Sequence, residues 1–396
     1  MKYKISAVAI TSFLIISCIL YIYNCGAFVF DAYKENGANV SGVKATILKI
    51  RDADAQQAPF RYTYIDINGA YHVMTDKSYV HDTYAAVAKM NNGYLTFAET
   101  FEDETDLKSL SEKMTGFKEA LEKKNISFLY VQDLEKACRY DKDAVLPTGV
   151  YTSSPDVQPF LNELKENDVD HIDLEERLHN DGLDHYGMFF KTDHHWTVQA
   201  GFWANAVICE HLEDKGLIKT EKELLDKNSY VSEKYENAFI GAQGTRVGKV
   251  FSPVDDFEFI NPGFDTDITV ISDGVEKRGP FTASLLDMSC FTEQAELSDK
   301  DYVAFSGGDF ALQKVINHKN TSGKKIVVIR DSFACVVTPY LALQCSELHI
   351  LDLRHFEDMS ALEYSESIGA DAVIVMYNPA MLPEENAFEF FGIEAE

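Results

Sequence analysis

Positive charge is what this chain has least of. Against 64 Asp and Glu it carries 36 Lys and Arg, a formal net charge of −28 over 396 residues. Nucleic acid and an anionic membrane surface would both be repelled by such a chain, so neither is its main partner. The balance suits a soluble domain facing salt water outside a cell. Cysteine is present but unorganised. Cys18, Cys25, Cys138, Cys209, Cys290, Cys335 and Cys345 include no C-x-x-C pair and no Cys/His spacing that fits zinc. This is no disulfide framework, and Cys209, Cys335 and Cys345 sit in apolar runs as buried thiols. No repeat and no low-complexity linker occurs. The cluster Gly241-Ala242-Gln243-Gly244-Thr245-Arg246-Val247-Gly248 is no phosphate loop, because no Gly-Lys-Ser/Thr opens a helix there.

One long uncharged stretch stands out. Lys2 and Lys4 precede Ile5 to Tyr23, 19 residues, close to the roughly 20 that span a bilayer. Its place at the terminus behind two lysines marks a targeting segment. We read residues 1–24 as an uncleaved signal anchor or transmembrane helix, with a cleaved signal or a lipobox at Ile15-Ile16-Ser17-Cys18 as alternatives. Basic residues on its amino side place the remainder outside the cytoplasm. The expected location is the cell membrane, single-pass, with an extracytoplasmic domain.

Residues 25–100 read as an N-terminal extension. Within it Arg61 to Ile67 and Ala70 to Met74 alternate around Asn68-Gly69, the pattern of a β-hairpin with a type I′ turn. Residues 101–396 read as α/β. Helices are expected at Asp106–Lys124, at Pro155–Asn167 with Ser154 as N-cap, at Thr197–Leu217, at Phe333–Gln344 and near Ser360–Gly369. Strands are expected at Ile126–Val131, Val169–Leu174, Leu348–Leu353 and Ala372–Tyr377. This alternation implies a parallel sheet flanked by helices. Residues 220–320, rich in Gly, Asp and short β-like runs, break the rhythm and read as an inserted β-rich subdomain.

The chemistry concentrates in two strings. In Asp193-His194-His195-Trp196 a carboxylate stands two residues before an imidazole. On extended chain both face one way, which suits an orienting Asp and a general-base His, and sends His194 to the other face as a structural residue. About 140 residues later an apolar strand ends in Arg330-Asp331-Ser332-Phe333. Ser332 thus stands at a carboxyl strand end, where open α/β sheets build their sites. A helix starting behind it would aim N–H groups at an oxyanion. By itself such a serine is more often a helix N-cap. Metal is the rival chemistry: Asp184-His185 and Asp193-His194-His195 offer five ligands within twelve residues, but at none of the helical His-x-x-x-His spacings. No metal and no cofactor is expected.

The paired strings resemble the DHHW proteins, relatives of the alginate O-acetyltransferases in the SGNH hydrolase-like superfamily. Asn125–Val131 as an early strand and Asp352-Leu353-Arg354 look alike too, and the resemblance covers roughly residues 80–380. It implies an SGNH hydrolase-like fold, with Ser332 as nucleophile, His195 as base and Asp193 as orienter. Arg330 departs from the superfamily pattern, which has Gly before Asp-Ser. Arg354, Asn378 and Gly308, beside Gly307, are further candidates for the oxyanion or substrate rim. The implied activity is O-acetylation of a cell-surface or exported polysaccharide through an acetyl-serine, with a membrane-bound O-acyltransferase as donor partner. An acetylesterase with the same triad, or a catalytically silent polysaccharide-binding or assembly protein, are the alternatives.

Overall fold

A computed structural model of the protein describes residues 12, 15, 16, 19, 61–81, 86–99, 105–141, 146–147, 149–152, 154–293, 295, 301–384, 386–389 and 391–392. They fall into two compact units, Met1–Tyr71 and His72–Glu396. The expected anchor lies outside the described residues except for Ser12, Ile15, Ile16 and Ile19, which are helical and exposed. Among the described residues no helix is long and apolar enough to cross a membrane. The expected hairpin is instead one α-helix, Arg61–Met74, with most side chains exposed. Alternation over so short a window also satisfies helical spacing, and among the described residues this segment has no strand partner to reward the extended form.

Among the described residues the second unit carries fourteen strands: β1 (Tyr79–His81), β2 (Ala86–Lys89), β3 (Leu95–Glu99), β4 (Ser127–Gln132), β5 (Tyr151–Thr152), β6 (His171–Asp173), β7 (Tyr230–Phe239), β8 (Asp255–Pro262), β9 (Ile268–Ser272), β10 (Val275–Gly279), β11 (Leu312–Asn317), β12 (Lys325–Arg330), β13 (Glu347–Leu351) and β14 (Ala372–Tyr377). The main sheet runs β10-β9-β11-β13-β12-β14-β4-β6. From β13 to β6 its neighbours pair parallel, and β11, β9 and β10 add antiparallel strands at one edge. Residues 220–320 are therefore no separate subdomain: β9, β10 and β11 continue the main sheet, and β7 with β8 forms a two-stranded ribbon. β11 alternates between buried and half-buried residues and β10 is mostly exposed, as an antiparallel edge allows. A smaller antiparallel sheet, β1-β2-β3-β5, completes the unit.

The central strands are continuous apolar runs because both faces are covered. In β12 Ile326 and Val328 face a core shared with Val198, Phe202 and Ile208 of helix Val198–Asp214. Val327 and Ile329 face the opposite core with Met114, Phe117 and Leu121 of helix Leu107–Glu122 and Phe160 and Leu164 of helix Gln158–Glu166. Burying one such side chain contributes about 1.5–3 kcal/mol. Thr197, whose residue type suits an N-cap, caps its helix, accepting from the Ala200 N–H at 3.2 Å. Ser154 does not cap the next one. Asp156 Oδ1 takes the Gln158 N–H at 3.0 Å, and this turn delays the helix to Gln158.

The expected helix Phe333–Gln344 is a 3-10 turn, Ser332–Val336, followed by a single α-turn, Thr338–Leu341. A continuous helix would hold Pro339 in its interior, where it lacks an N–H and clashes with the preceding turn. The 3-10 turn packs against Gly201. A Cβ there would stand 2.4 Å from the Val336 carbonyl oxygen and 2.6 Å from its Cγ2. Gly201→Ala, which in a free helix would stabilise, should here cost roughly 1–3 kcal/mol through overpacking. Urea unfolding checks this as a lower midpoint with an unchanged slope.

Candidate active site

Four neighbouring parallel strands end in polar residues at one sheet edge: Asp133 after β4, Asp331-Ser332 after β12, Asp352 after β13 and Asn378 after β14. Across this edge lies the segment Lys191–Trp196. It is bent, not extended as expected. The cause is Asp193 itself, whose Oδ1 accepts the His195 backbone N–H at 2.8 Å and so curls the chain as an Asx-turn. The same oxygen accepts His195 Nδ1–H at 2.6 Å. With its proton on Nδ1, the ring presents the Nε2 lone pair to Ser332, whose Oγ–H donates across 2.7 Å. Residues far apart in sequence thus share one hydrogen-bonded line.

Asp193 is buried. Burial alone would raise its carboxyl, yet His195, then His194, and the hydrogen bonds from His195 hold it far below the usual carboxylate range. Its second oxygen takes the Ala242 N–H at 2.6 Å. That donor comes from the glycine cluster. A Cβ on Gly241 would stand 2.1 Å from Asp193 Oδ2, so only glycine lets the backbone approach the carboxylate. Tyr302 stacks on the His195 ring with centroids 3.9 Å apart and planes 12° from parallel. Its hydroxyl donates to the Phe333 carbonyl at 3.1 Å, and the Trp196 indole N–H donates to the same oxygen at 2.8 Å. The tryptophan of the D-H-H-W string therefore ties the His195 segment to the turn that carries Ser332.

His194 is not turned away. The bend brings it into the cleft lining, with its ring centroid 3.8 Å from that of His195. Burial, then its neighbour His195, push its pKa down to about 3, so the ring is neutral.

The cleft at this edge, about 160 Å³, is lined by Ser332, His194, Lys136, Phe97, Arg354 and Asn378 among others. Arg354 reaches it as expected, held by Asp352 through Nε at 2.8 Å and Nη2 at 2.5 Å. Asn378 lines it too, but its side chain is committed, donating to the Leu134 carbonyl at 2.9 Å and accepting from the Ala380 N–H at 3.1 Å. Gly308 is not in the lining; its carbonyl accepts from Arg330 Nη2 at 3.1 Å. Arg330, where the superfamily pattern has glycine, is buried and paired with Asp309, so its bulk lies away from the cleft.

The expected helix N-terminus behind Ser332 is not built. The Phe333 N–H is taken by Asp331 Oδ1 at 2.8 Å and the Ala334 N–H by the Asp331 carbonyl at 3.3 Å. Asp331 also accepts the Asn378 N–H at 2.7 Å. Burial pushes both Asp331 and its neighbour Asp133 upward, and Asp133, pressed further by Asp331, lies well above the carboxylate range.

Sequence reasoning missed Lys136, Gln243 and Tyr302, because their partners lie far away in the chain and no local string marks them. Lys136 is buried and donates to the carbonyls of Asp193 and Leu95, the latter at 2.9 Å, and to Gln243 Oε1 at 3.1 Å.

The edge, the cleft and the Ser-His-Asp line lie in an α/β domain that is similar to SGNH hydrolase-like domains. The family model described as SGNH hydrolase-like domain, acetyltransferase AlgX, matches residues 94–247, and the DHHW protein model matches residues 174–351. Bacillus cereus PatB1 with a sulfonyl adduct is 18% identical with a TM-score of 0.62, covering 77% of this chain and 97% of that one. A second PatB1 structure gives 18%, 0.61, 79% and 99%. A DHHW family protein from Eubacterium siraeum gives 18%, 0.56, 78% and 95%. No curated protein matches. The chain is similar to the DHHW proteins, as its sequence strings imply.

Three acceptors around one amine require the ammonium form. Lys136→Met keeps the stem and strands all three, so it should cost roughly 3 kcal/mol or more in urea unfolding. Burial pushes the Lys136 pKa down to about 8, whereas an unfolded lysine titrates near ~10.4. Between those values the unfolded chain binds more protons. Stability of the wild type relative to Lys136→Met should therefore rise with pH across that window. A flat difference from pH 7 to 10 would contradict the assignment.

Proposed function

We propose that this protein is an extracytoplasmic O-acetyltransferase acting on a cell-surface or exported polysaccharide. The observation that carries the reading is the Asp193–His195–Ser332 line, at 2.6 and 2.7 Å, opening on a cleft that admits a polar substrate. The likeness to an acetyltransferase domain model supports the acyl group as cargo. Ser332 Oγ attacks the acetyl carbonyl and passes its proton to His195 Nε2, while Asp193 holds Nδ1–H and stabilises the imidazolium. The donor's leaving group takes that proton and departs, leaving acetyl-Ser332. A sugar hydroxyl then gives its proton to His195 and attacks the ester, and Ser332 recovers a proton as it leaves. Arg354, in the same cleft, supplies positive charge to the acetyl oxygen.

The apolar N-terminal stretch supports a signal anchor with the domain outside the cytoplasm, where a membrane-bound O-acyltransferase would act as donor partner. Water as acceptor would make the same site an esterase, so a small activated acetyl ester is the assay of choice.

Ser332→Ala should abolish hydrolysis of that ester, and His195→Ala should come close. Asp193→Asn should cost of order a thousandfold, since an amide cannot accept from both the imidazole and the Ala242 N–H on the same terms. The Ser332/His195 double variant should be no worse than either single one, because the residues act as a unit. Full activity in folded Ser332→Ala would reject the assignment. Labelling is a separate arm: a sulfonyl fluoride should modify Ser332, and do so more slowly in Asp193→Asn.

A further inference from the structure

The rival metal reading of Asp184-His185 and Asp193-His194-His195 joins two places that the fold separates. Asp193 and His195 point to Ser332. His185 sits with Cys138, which follows β4, and with Glu175, on helix Leu174–Asn180; the sulfur, carboxylate oxygen and imidazole nitrogen lie within 4.8 Å of one another. We propose that Cys138, Glu175 and His185 form a metal site, its fourth position left to water, for zinc or a similarly thiophilic divalent cation. The three ligands come from three separate segments, so no local spacing reveals the set.

The imidazole is already prepared for this role. His185 Nε2 lies 2.9 Å from the Glu135 carbonyl, which can only accept, so Nε2 carries the proton. That leaves the lone pair on Nδ1, which is buried and has no hydrogen-bond partner among the described residues. A backbone carbonyl on the far nitrogen is the usual way a ligating histidine is oriented. Burial pushes His185 down, which keeps the ring neutral. Glu175 is also fixed: its Oε1 accepts the Arg139 N–H at 2.8 Å.

The surrounding charge suits a cation. Asp184 and Asp141 act on His185 with negative field. Arg139 is the opposing charge: its guanidinium pairs with Asp173 and also with Glu175, Nε lying 3.9 Å from Oε2, and a bound cation would take over the second contact. Thiolate, imidazole and carboxylate together select zinc over magnesium or calcium. Tetrahedral zinc needs ligand atoms about 3.5 Å apart, a short closing movement from the present spacing. Burial pushes the Cys138 thiol up to about 11 and Glu175 up to about 7. On binding, the S–H proton and any proton on Glu175 pass to solvent as the sulfur–metal and oxygen–metal bonds form. No oxidation is involved. Glu135 and Lys136, on the same loop as Cys138, line the cleft, so the metal would brace the loop that positions the Asp193 carbonyl. The ligand set shares no residue with the Ser332 site and stands without the acyl-transfer reading.

The full chain, stripped with a chelator and titrated with cobalt(II), tests this. One equivalent should produce a thiolate-to-cobalt charge-transfer band that zinc then bleaches. Cys138→Ser should abolish the band, and His185→Gln should weaken affinity by about a hundredfold or more. His195→Gln should leave the band intact, which separates this cluster from Asp193-His194-His195. Zinc should raise the melting temperature of the wild type but not of Cys138→Ser. No band in the wild type, or a band that survives in Cys138→Ser, would overturn the proposal.

Discussion

The hydrogen bond from Ser332 to His195 joins two chain segments 137 residues apart, and much of the fold is arranged to hold it. One end rests on the main sheet, where β12 lies between β13 and β14. The other end is a bent loop with no regular structure of its own. A loop at that position would wander without anchors, and the anchors can be named. Asp193 accepts from its own chain and from Ala242, Lys136 grips the Asp193 carbonyl, and Trp196 and Tyr302 both donate to the Phe333 carbonyl. Close backbone approach at Gly241 and Gly201 lets two of these layers meet.

Charge at the edge is managed locally, against the overall negative balance. Asp193 stays ionised because the histidines and N–H donors face it. Burial, and then Asp331, push the Asp133 carboxyl upward. Asp309 and Asp352 are met by Arg330 and Arg354. Arg330 is thus part of a partly buried ionic cluster, and it pins the Gly308 carbonyl behind the Ser332 strand. Breaking one member would strand the others, so this network specifies geometry more than it adds stability.

The parts of the site that are strings in the sequence were legible, and the parts made by tertiary contact were not. Asp193, His195 and Ser332 each stand in a local motif, and β14 coincides with its expected range because a fully buried run has one reading. Thr197 was legible as a cap for the same local reason. The bend at Asp193 was not, since a carboxylate that accepts its own chain's N–H leaves no mark in a hydrophobic pattern. Pro339 was visible, yet its effect, a 3-10 turn in place of a helix behind Ser332, depends on where the helix would have started. Lys136 and Tyr302 have no signal in one dimension, and of the Cys138–Glu175–His185 group only His185 stands among the candidate ligands of the sequence.

The central claim is that Ser332 Oγ becomes acylated. Incubating the full chain with an activated acetyl ester, quenching in acid and sequencing the peptides by mass spectrometry tests it most directly. The account predicts one acetyl group, on the peptide that holds Ser332, which disappears when a polysaccharide acceptor is added and never forms in His195→Ala. Turnover of the ester with no acetyl group on Ser332, or with acetyl on another residue, would contradict it.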